Sequence, residues 1–122
     1  PAWFGWRFDD PVTLTAARFR EGLHFSAGGD AIGGWFETFE VETRLGADAP
    51  WSPVAALVVS PPYRNPGPAG LDYEAYELTF APRVAREFRI VGPTGGSPGF
   101  AGASELRLFG PHGFEGGWTV RD

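Results

Sequence analysis

Apolar and polar residues alternate along several short segments of this chain, and glycine or proline separates one segment from the next. A period of two is the pattern of a half-buried antiparallel β-strand. No segment of about 11 residues free of glycine and proline shows the apolar spacing of an amphipathic helix. The sequence therefore predicts an all-β domain. In the clearest strand, residues 35–45, one face carries Phe39, Val41, Thr43 and Leu45, and the other carries Glu40, Glu42 and Arg44.

Further segments with strand character cover residues 3–8, 12–20, 54–59, 75–80, 85–91 and 104–109. Segments at this spacing with glycine and proline between them favour an antiparallel sandwich or barrel. Asp9, Asp10 and Pro11 predict a turn between the first two segments. Two stretches, residues 21–34 and 60–72, are too long for hairpin turns, and loops of that length are typically functional or disordered. The predicted inward residues of the last two strands are Phe88, Ile90, Leu106 and Leu108.

Composition limits the class of protein. A length of 122 residues fits one domain, and 43% hydrophobic residues exclude a disordered chain. Because cysteine is absent, disulfides, thiol nucleophiles and cysteine-based zinc sites are excluded. The net charge is −5 and the arginines are scattered, which argues against a nucleic-acid partner.

Membrane and targeting signals are also missing from this sequence. No apolar run reaches the roughly 18 residues of a membrane span, and no signal peptide is visible. Pro1 is not a native start residue, so we expect the chain to be an excised or processed piece of a larger protein.

Residues for catalysis are poorly represented, and we expect no enzymatic activity. Asp9 and Asp10 are neighbours and point in different directions, which makes them a poor acid–base pair. His24 and His112 lack a metal-ligand spacing. The glycine-rich run at residues 95–99 lacks the strand-to-helix setting of a nucleophile elbow. A triad that assembles only in space stays open on sequence grounds.

Several segments, taken in order, resemble the discoidin family, also called the coagulation factor 5/8 C-terminal domain, and its sugar-binding branch, carbohydrate-binding module family 32. The resemblance covers about residues 3–110. It implies a galactose-binding-like, antiparallel jelly-roll β-sandwich over residues 1–110, with the ligand site in loops at one end. Residues 111–122 are then a C-terminal tail or an added short strand. The matching segments are residues 6–8, 11–13, 17–19, 39–42 and 76–80, and, closest of all, 85–90 (Ala-Arg-Glu-Phe-Arg-Ile) and 103–110 (Ala-Ser-Glu-Leu-Arg-Leu-Phe-Gly).

The resemblance also bears on metal binding. In the family, an N-terminal Asp-Gly-Asp loop and a glutamate of the final strand, here Glu105, often hold a structural calcium. This sequence has no such loop, so only Glu105 of that ligand set is present, and no other cofactor is expected. One hypothesis is that residues 118–120 occupy the vacant strand position.

Loop aromatic and polar residues are the candidate ligand contacts. In the sugar-binding relatives an aromatic at the position of Phe100 packs on a pyranose face; the alternative is that it plugs the end of the sandwich. Alternation predicts Trp35 in the core and Phe36 exposed at a loop mouth. His24 and Asp30 are candidates for bonds to sugar hydroxyls, or else His24 bonds to backbone.

The proline-rich loop adds Tyr63, Arg64 and Asn65. An arginine or asparagine there can donate to vicinal hydroxyls or to a uronic carboxylate, and the alternative is a solvated loop tip. Trp51 is a turn aromatic that either covers the core edge or is exposed. We expect sheet-face ion pairs in which Arg86 and Arg89 contact Glu40 or Glu42.

The sequence therefore predicts a non-catalytic carbohydrate-binding module that targets a larger secreted bacterial protein to a glycan. Its partners would be a carbohydrate ligand and neighbouring domains of the same chain. The alternative is a structural or protein-interaction β-sandwich that packs against a partner domain or virion subunit. Burial of Phe36 and Phe100 would favour that alternative, and outward aromatics such as Phe109 would then lie in the interface.

Overall fold

The computed structural model describes residues 2–22, 32–63, 74–95 and 98–120, and these form an all-β fold, as predicted. Seven strands make one antiparallel sheet in the order β4-β3-β6-β1-β8-β9, with β5 also paired to β6, and β2 and β7 make a separate parallel pair. The described residues contain no helix that could cross a lipid bilayer. The strands are β1 (Ala2–Glu21), β2 (Ile32–Gly34), β3 (Glu40–Arg44), β4 (Ser52–Pro53), β5 (Val58–Ser60), β6 (Ala75–Gly92), β7 (Pro98–Ala101), β8 (Ala103–Gly110) and β9 (Gly113–Thr119).

The two long strands, β1 and β6, pair with each other along most of their length and bend at two irregular points. The register shifts on β1 between Arg7 and Val12 and again between Leu14 and Ala16. Pro11 and Pro82 lie in these irregular stretches, where a missing N–H removes no ladder hydrogen bond. The predicted turn at residues 9–11 is therefore wrong. Since the partner strand continues past both bends, two predicted strands merge into β1 and two into β6.

The bends divide the sheet into two halves. The first half contains β4, β3, the end of β6 and the start of β1, and the second half contains β5, the start of β6, the end of β1, β8 and β9. β1 and β6 pass from one half to the other, and strands of this kind form the corners of sandwich-like folds. Trp118 of β9 joins the halves, because its Nε1 donates to the carbonyl of Gly5 (3.3 Å) and its ring packs against Phe4.

The core lies between the halves, where the inward parity of each strand meets. The predicted inward residues of β6 and β8 are confirmed, whereas Leu45 is 58% exposed because β3 ends one residue before it. The residues 113–119, left open as a tail or an added strand, pair with β8 as β9. The buried cluster comprises Phe8, Leu14, Ala17, Phe19, Phe36, Val41, Tyr76, Leu78, Phe80, Ala85, Phe88, Ile90, Leu106 and Leu108.

Candidate ligand-binding surface

The outer face of the first half is a regular grid of side chains from three neighbouring strands. The register sets the residues side by side, because cross-strand neighbours on one face lie within side-chain reach. The three rows, read from β1 across β6 to β3, are Trp3, Val91 and Glu40; Gly5, Arg89 and Glu42; and Arg7, Glu87 and Arg44.

Two ion pairs occupy the middle of this grid. Arg44 forms a bidentate ion pair with Glu87, at 2.9 Å from Nε to Oε2 and 3.2 Å from Nη2 to Oε1. Arg89 contacts Glu42 at 2.8 Å through Nε and 2.6 Å through Nη2. The Arg89 side of the predicted ion pairing is confirmed, whereas Arg86 instead donates from Nε to the carbonyl of Phe8 (3.3 Å). Both pairs are largely shielded from water, so they hold their side chains more firmly than an exposed pair would.

Trp51 lies over these ion pairs. Ser52 pairs with the buried residue Thr43 at the edge of the sheet. The preceding residue, Trp51, therefore lies on the opposite, outer face, where the ion pairs are. The guanidinium carbons of Arg44 and Arg89 lie 4.4 and 4.2 Å from the centre of the Trp51 ring, which is cation–π distance. The ring is half-buried and contacts both guanidinium groups, and these contacts favour one orientation of the indole in the absence of ligand.

A cleft of about 290 Å³ opens beside Trp51, and we call it the tryptophan cleft. Trp3 forms another part of its wall and is 57% exposed. Gly5 leaves bare backbone there, since a side chain on it would collide with the carbonyl oxygen of Phe88 and approach the Trp3 ring to 3.2 Å. The lining residues are Trp3, Gly5, Trp6, Arg7, Trp51, Glu87 and Phe88.

A second cleft, of about 390 Å³, adjoins the first and shares Arg7 and Glu87 with it. Asp9 and Arg86 also line this second cleft. Arg7 is exposed at the boundary of the two clefts and makes no hydrogen bond or ion pair to any residue that the structure describes. An aromatic-walled cleft with a guanidinium at its rim can bind a small polar ligand that has an apolar face.

The prediction that Phe36 is exposed is wrong. Its side chain is 0% exposed and packs against Phe4 and Phe19 at about 6 Å between ring centres. Trp35 is also buried, at 2%, as predicted. Both neighbouring side chains reach the interior because they lie outside regular strand, between β2 and β3, where strict alternation no longer holds.

Tyr63 belongs to a polar cluster beneath the core aromatics. Its hydroxyl accepts from the backbone N–H of Phe36 (3.0 Å) and lies 2.9 Å from the carbonyl of Phe36 and 3.1 Å from Oε2 of Glu21. Burial raises the pKa of Glu21 from 4.5 to about 7. The hydrogen bond from Tyr63 lowers this pKa in part, and the charge of Glu74 raises it further. Burial and the charge of Glu21 raise the pKa of Tyr63 well above its usual range, so the phenol keeps its proton. The Tyr63 hydroxyl is therefore engaged inside the protein.

The other predicted contacts fall outside the described residues: His24, Asp30, Arg64, Asn65 and the side chain of Phe100. The backbone of residue 100 belongs to β7. Their roles stay predictions.

Glu105 lies on the outer face of the second half, where Arg18 contacts it at 3.1 Å. No group of three or more acidic or imidazole side chains with metal-binding geometry occurs in the described part of the chain. Calcium binding at Glu105 stays a prediction.

Trp3 and Arg7 are not among the ligand contacts that the sequence predicts. The signal was present, because residues 3–8 alternate and the odd positions Trp3, Gly5 and Arg7 share one face. Aromatic residues stand at both parities of this segment, so alternation alone did not distinguish its inner face from its outer face.

No protein-family model, curated protein or solved structure matches this chain. The discoidin resemblance therefore remains an interpretation of the sequence segments that suggested it.

Proposed function

We propose that this chain is a non-catalytic carbohydrate-binding module that holds its ligand in the tryptophan cleft. The observation that carries the proposal is the pairing of an exposed indole, Trp3, with a fixed one, Trp51, in one open cleft. The C–H face of a pyranose is apolar, and a rigid aromatic ring buries it with little loss of conformational entropy. Arg7 at the rim adds N–H donors for the polar edge of the sugar.

The proposal includes a discoidin-like jelly roll as the specific form of the sandwich-like fold. Its support is that the two segments closest to the family, residues 85–90 and 103–110, form central antiparallel strands, β6 and β8. A domain of this kind would anchor a larger secreted protein, with its neighbouring domains, on a glycan. A single shallow site binds sugars at roughly millimolar to micromolar affinity, so useful retention would depend on repeated sites.

The proposed site lies on a sheet face and not among the loops that the resemblance implied. Phe36 is buried in the core, and the Tyr63 hydroxyl is bonded to it and to Glu21. Neither group is presented to a ligand, whereas Trp3 is.

Calorimetric titration after a glycan-array screen of galactosides, uronates and plant polysaccharides tests the proposal. Trp3→Ala should weaken binding of the best ligand by roughly fivefold to thirtyfold, since an aromatic contact of this size is worth about 1–2 kcal/mol. Phe114→Ala removes another exposed aromatic, on the second half of the sheet, and should leave affinity unchanged. Silence across the screen, or a Trp3→Ala variant that binds like the parent, would refute the proposal.

A protein-interaction module is the second candidate, because two observations favour it. Phe36 is fully buried, and Phe114 is 54% exposed beside Phe109 and Arg107 on the second half. This candidate predicts no glycan binding and an association with a partner domain that Phe114→Ala weakens. Trp3→Ala would leave that association intact, so the same pair of variants separates the two functions.

A further inference from the structure

Some charged residues around the tryptophan cleft are in ion pairs, and one, Arg7, has no described partner. Both carboxylate oxygens of Glu87, the acidic residue of its lining, are bonded to Arg44. Arg89 is similarly committed to Glu42. Arg7 is the remaining charged residue of the lining, and no described carboxylate neutralises it. A protein of net charge −5 thus presents an unpaired cation at the rim of this cleft.

The second cleft places a further cation near Arg7. Arg86 lines it and uses only Nε, toward the carbonyl of Phe8, in its bonds to described residues. Asp9 also lines the second cleft and opposes these charges there, but it does not line the tryptophan cleft. The positive charge near the tryptophan cleft is therefore concentrated at Arg7, where the two clefts meet.

We propose that the ligand of the tryptophan cleft is a saccharide that carries a carboxylate, and that Arg7 binds this group. The inference rests on the proposed function and specifies its ligand class. A guanidinium donates two parallel N–H groups with the spacing of the two carboxylate oxygens, and such charge-assisted pairs are stronger than bonds to neutral hydroxyls. The sugar ring packs against Trp3 and Trp51 while its carboxylate faces Arg7. A single guanidinium with Glu87 and Asp9 nearby suits one carboxylate per sugar better than the denser charge of a sulfated glycan.

Matched pairs of ligands isolate the carboxylate. Tetrasaccharides of galacturonate, glucuronate and mannuronate are titrated calorimetrically against the full chain, each beside its carboxyl-reduced, neutral counterpart. We expect at least one acidic tetrasaccharide to bind roughly tenfold or more tightly than its reduced form, the difference that one charge-assisted hydrogen-bond pair supplies. A sulfated galactotetraose provides the test for anions in general.

Arg7→Gln should bring the affinity for the acidic ligand to within about twofold of the affinity for the reduced form. Arg7→Lys keeps the charge without the planar pair of donors and should restore only part of the difference. Arg107→Gln changes net charge equally on the second half of the sheet and should have no effect. Since Arg7 is exposed and has no described partner, its substitution should leave the far-UV circular dichroism spectrum intact.

Three results would overturn the carboxylate assignment while leaving the proposed function in place. They are equal affinity for acidic and reduced forms, unchanged affinity in Arg7→Gln, and equal or tighter binding of the sulfated ligand. Absence of binding to every saccharide, acidic or neutral, would instead remove the proposed function, and the carboxylate assignment with it.

Discussion

Glu21 is a buried acidic residue whose chemistry depends on its surroundings. Its carboxyl group is fully buried beside the Tyr63 hydroxyl and near Glu74. The single phenolic proton of Tyr63 cannot serve both Glu21 and the carbonyl of Phe36. When Glu21 is protonated, its O–H can donate to the Tyr63 oxygen instead, which leaves the phenolic proton for the carbonyl of Phe36. Burial outweighs the Tyr63 hydrogen bond, which by itself lowers the pKa of Glu21, and raises that pKa to about 7.

This raised pKa predicts a stability that falls as the pH rises. Below pH 4.5 both folded and unfolded states hold the proton; between 4.5 and about 7 only the folded state does, so unfolding becomes progressively easier until the folded state also ionises. The free energy of unfolding should drop by at most about 3 kcal/mol from pH 4.5 to pH 8. Urea denaturation of the parent and of Glu21→Gln measures it, since the variant should lack this part of the pH dependence. Parallel curves for the two proteins would contradict the prediction.

The edge strand β9 has glycine at two positions with positive φ, and only one of them is also crowded by a neighbouring strand. Gly113 has φ of +118° and open space around its α-carbon. Gly117 has φ of +143°, and a side chain there would also collide with the carbonyl oxygen of Leu106 on β8. Both conformations disfavour any other residue, but only Gly117 combines strain with a clash.

Alanine at these two positions separates strain from collision. Gly113→Ala should lower the free energy of unfolding by about 1 kcal/mol, and Gly117→Ala by at least about 2 kcal/mol, because a carbonyl in the β8–β9 ladder cannot move away without breaking hydrogen bonds. Thermal unfolding of the two variants, side by side, gives the comparison. Equal losses would mean that β9 moves away from β8 at little cost.

For the whole molecule, the continuity of β1 and β6 ties the two halves together. Each strand contributes residues from both halves to one shared core, so we expect that neither half can unfold without disrupting that core. Trp118 adds a contact across the halves. A single cooperative unfolding transition is the expected consequence.

Alanine substitutions of buried side chains in the two halves test this coupling. Ile90→Ala in the first half and Leu106→Ala in the second remove fully buried side chains, and each should destabilise the whole domain by about 2–5 kcal/mol. Tryptophan fluorescence, which reports mainly on the first half, and far-UV circular dichroism should give coincident urea midpoints for both variants. A midpoint that differs between the two measurements would show that the halves unfold separately.

Local patterns predicted strand faces well where one parity was clearly apolar. Phe88, Ile90, Leu106 and Leu108 are all buried, as alternation indicated. Alternation predicts the wrong environment for Phe36, where the strand pattern is interrupted. Aspartate and proline at residues 9–11 resemble a turn but lie in a bend of β1.

Local sequence pattern is enough to predict an all-β domain and the inward residues of the end of β6 and of β8, because a period of two is a local property of the backbone. The unbroken course of β1 and β6 through two bends, and the cleft that Trp3, Arg7 and Trp51 share, depend on packing between distant segments. Alternation assigns a side chain to one of two faces but does not say which residues of distant segments lie beside it. Strand register and bending, which depend on packing throughout the domain, bring Trp51 beside Trp3 and Arg7.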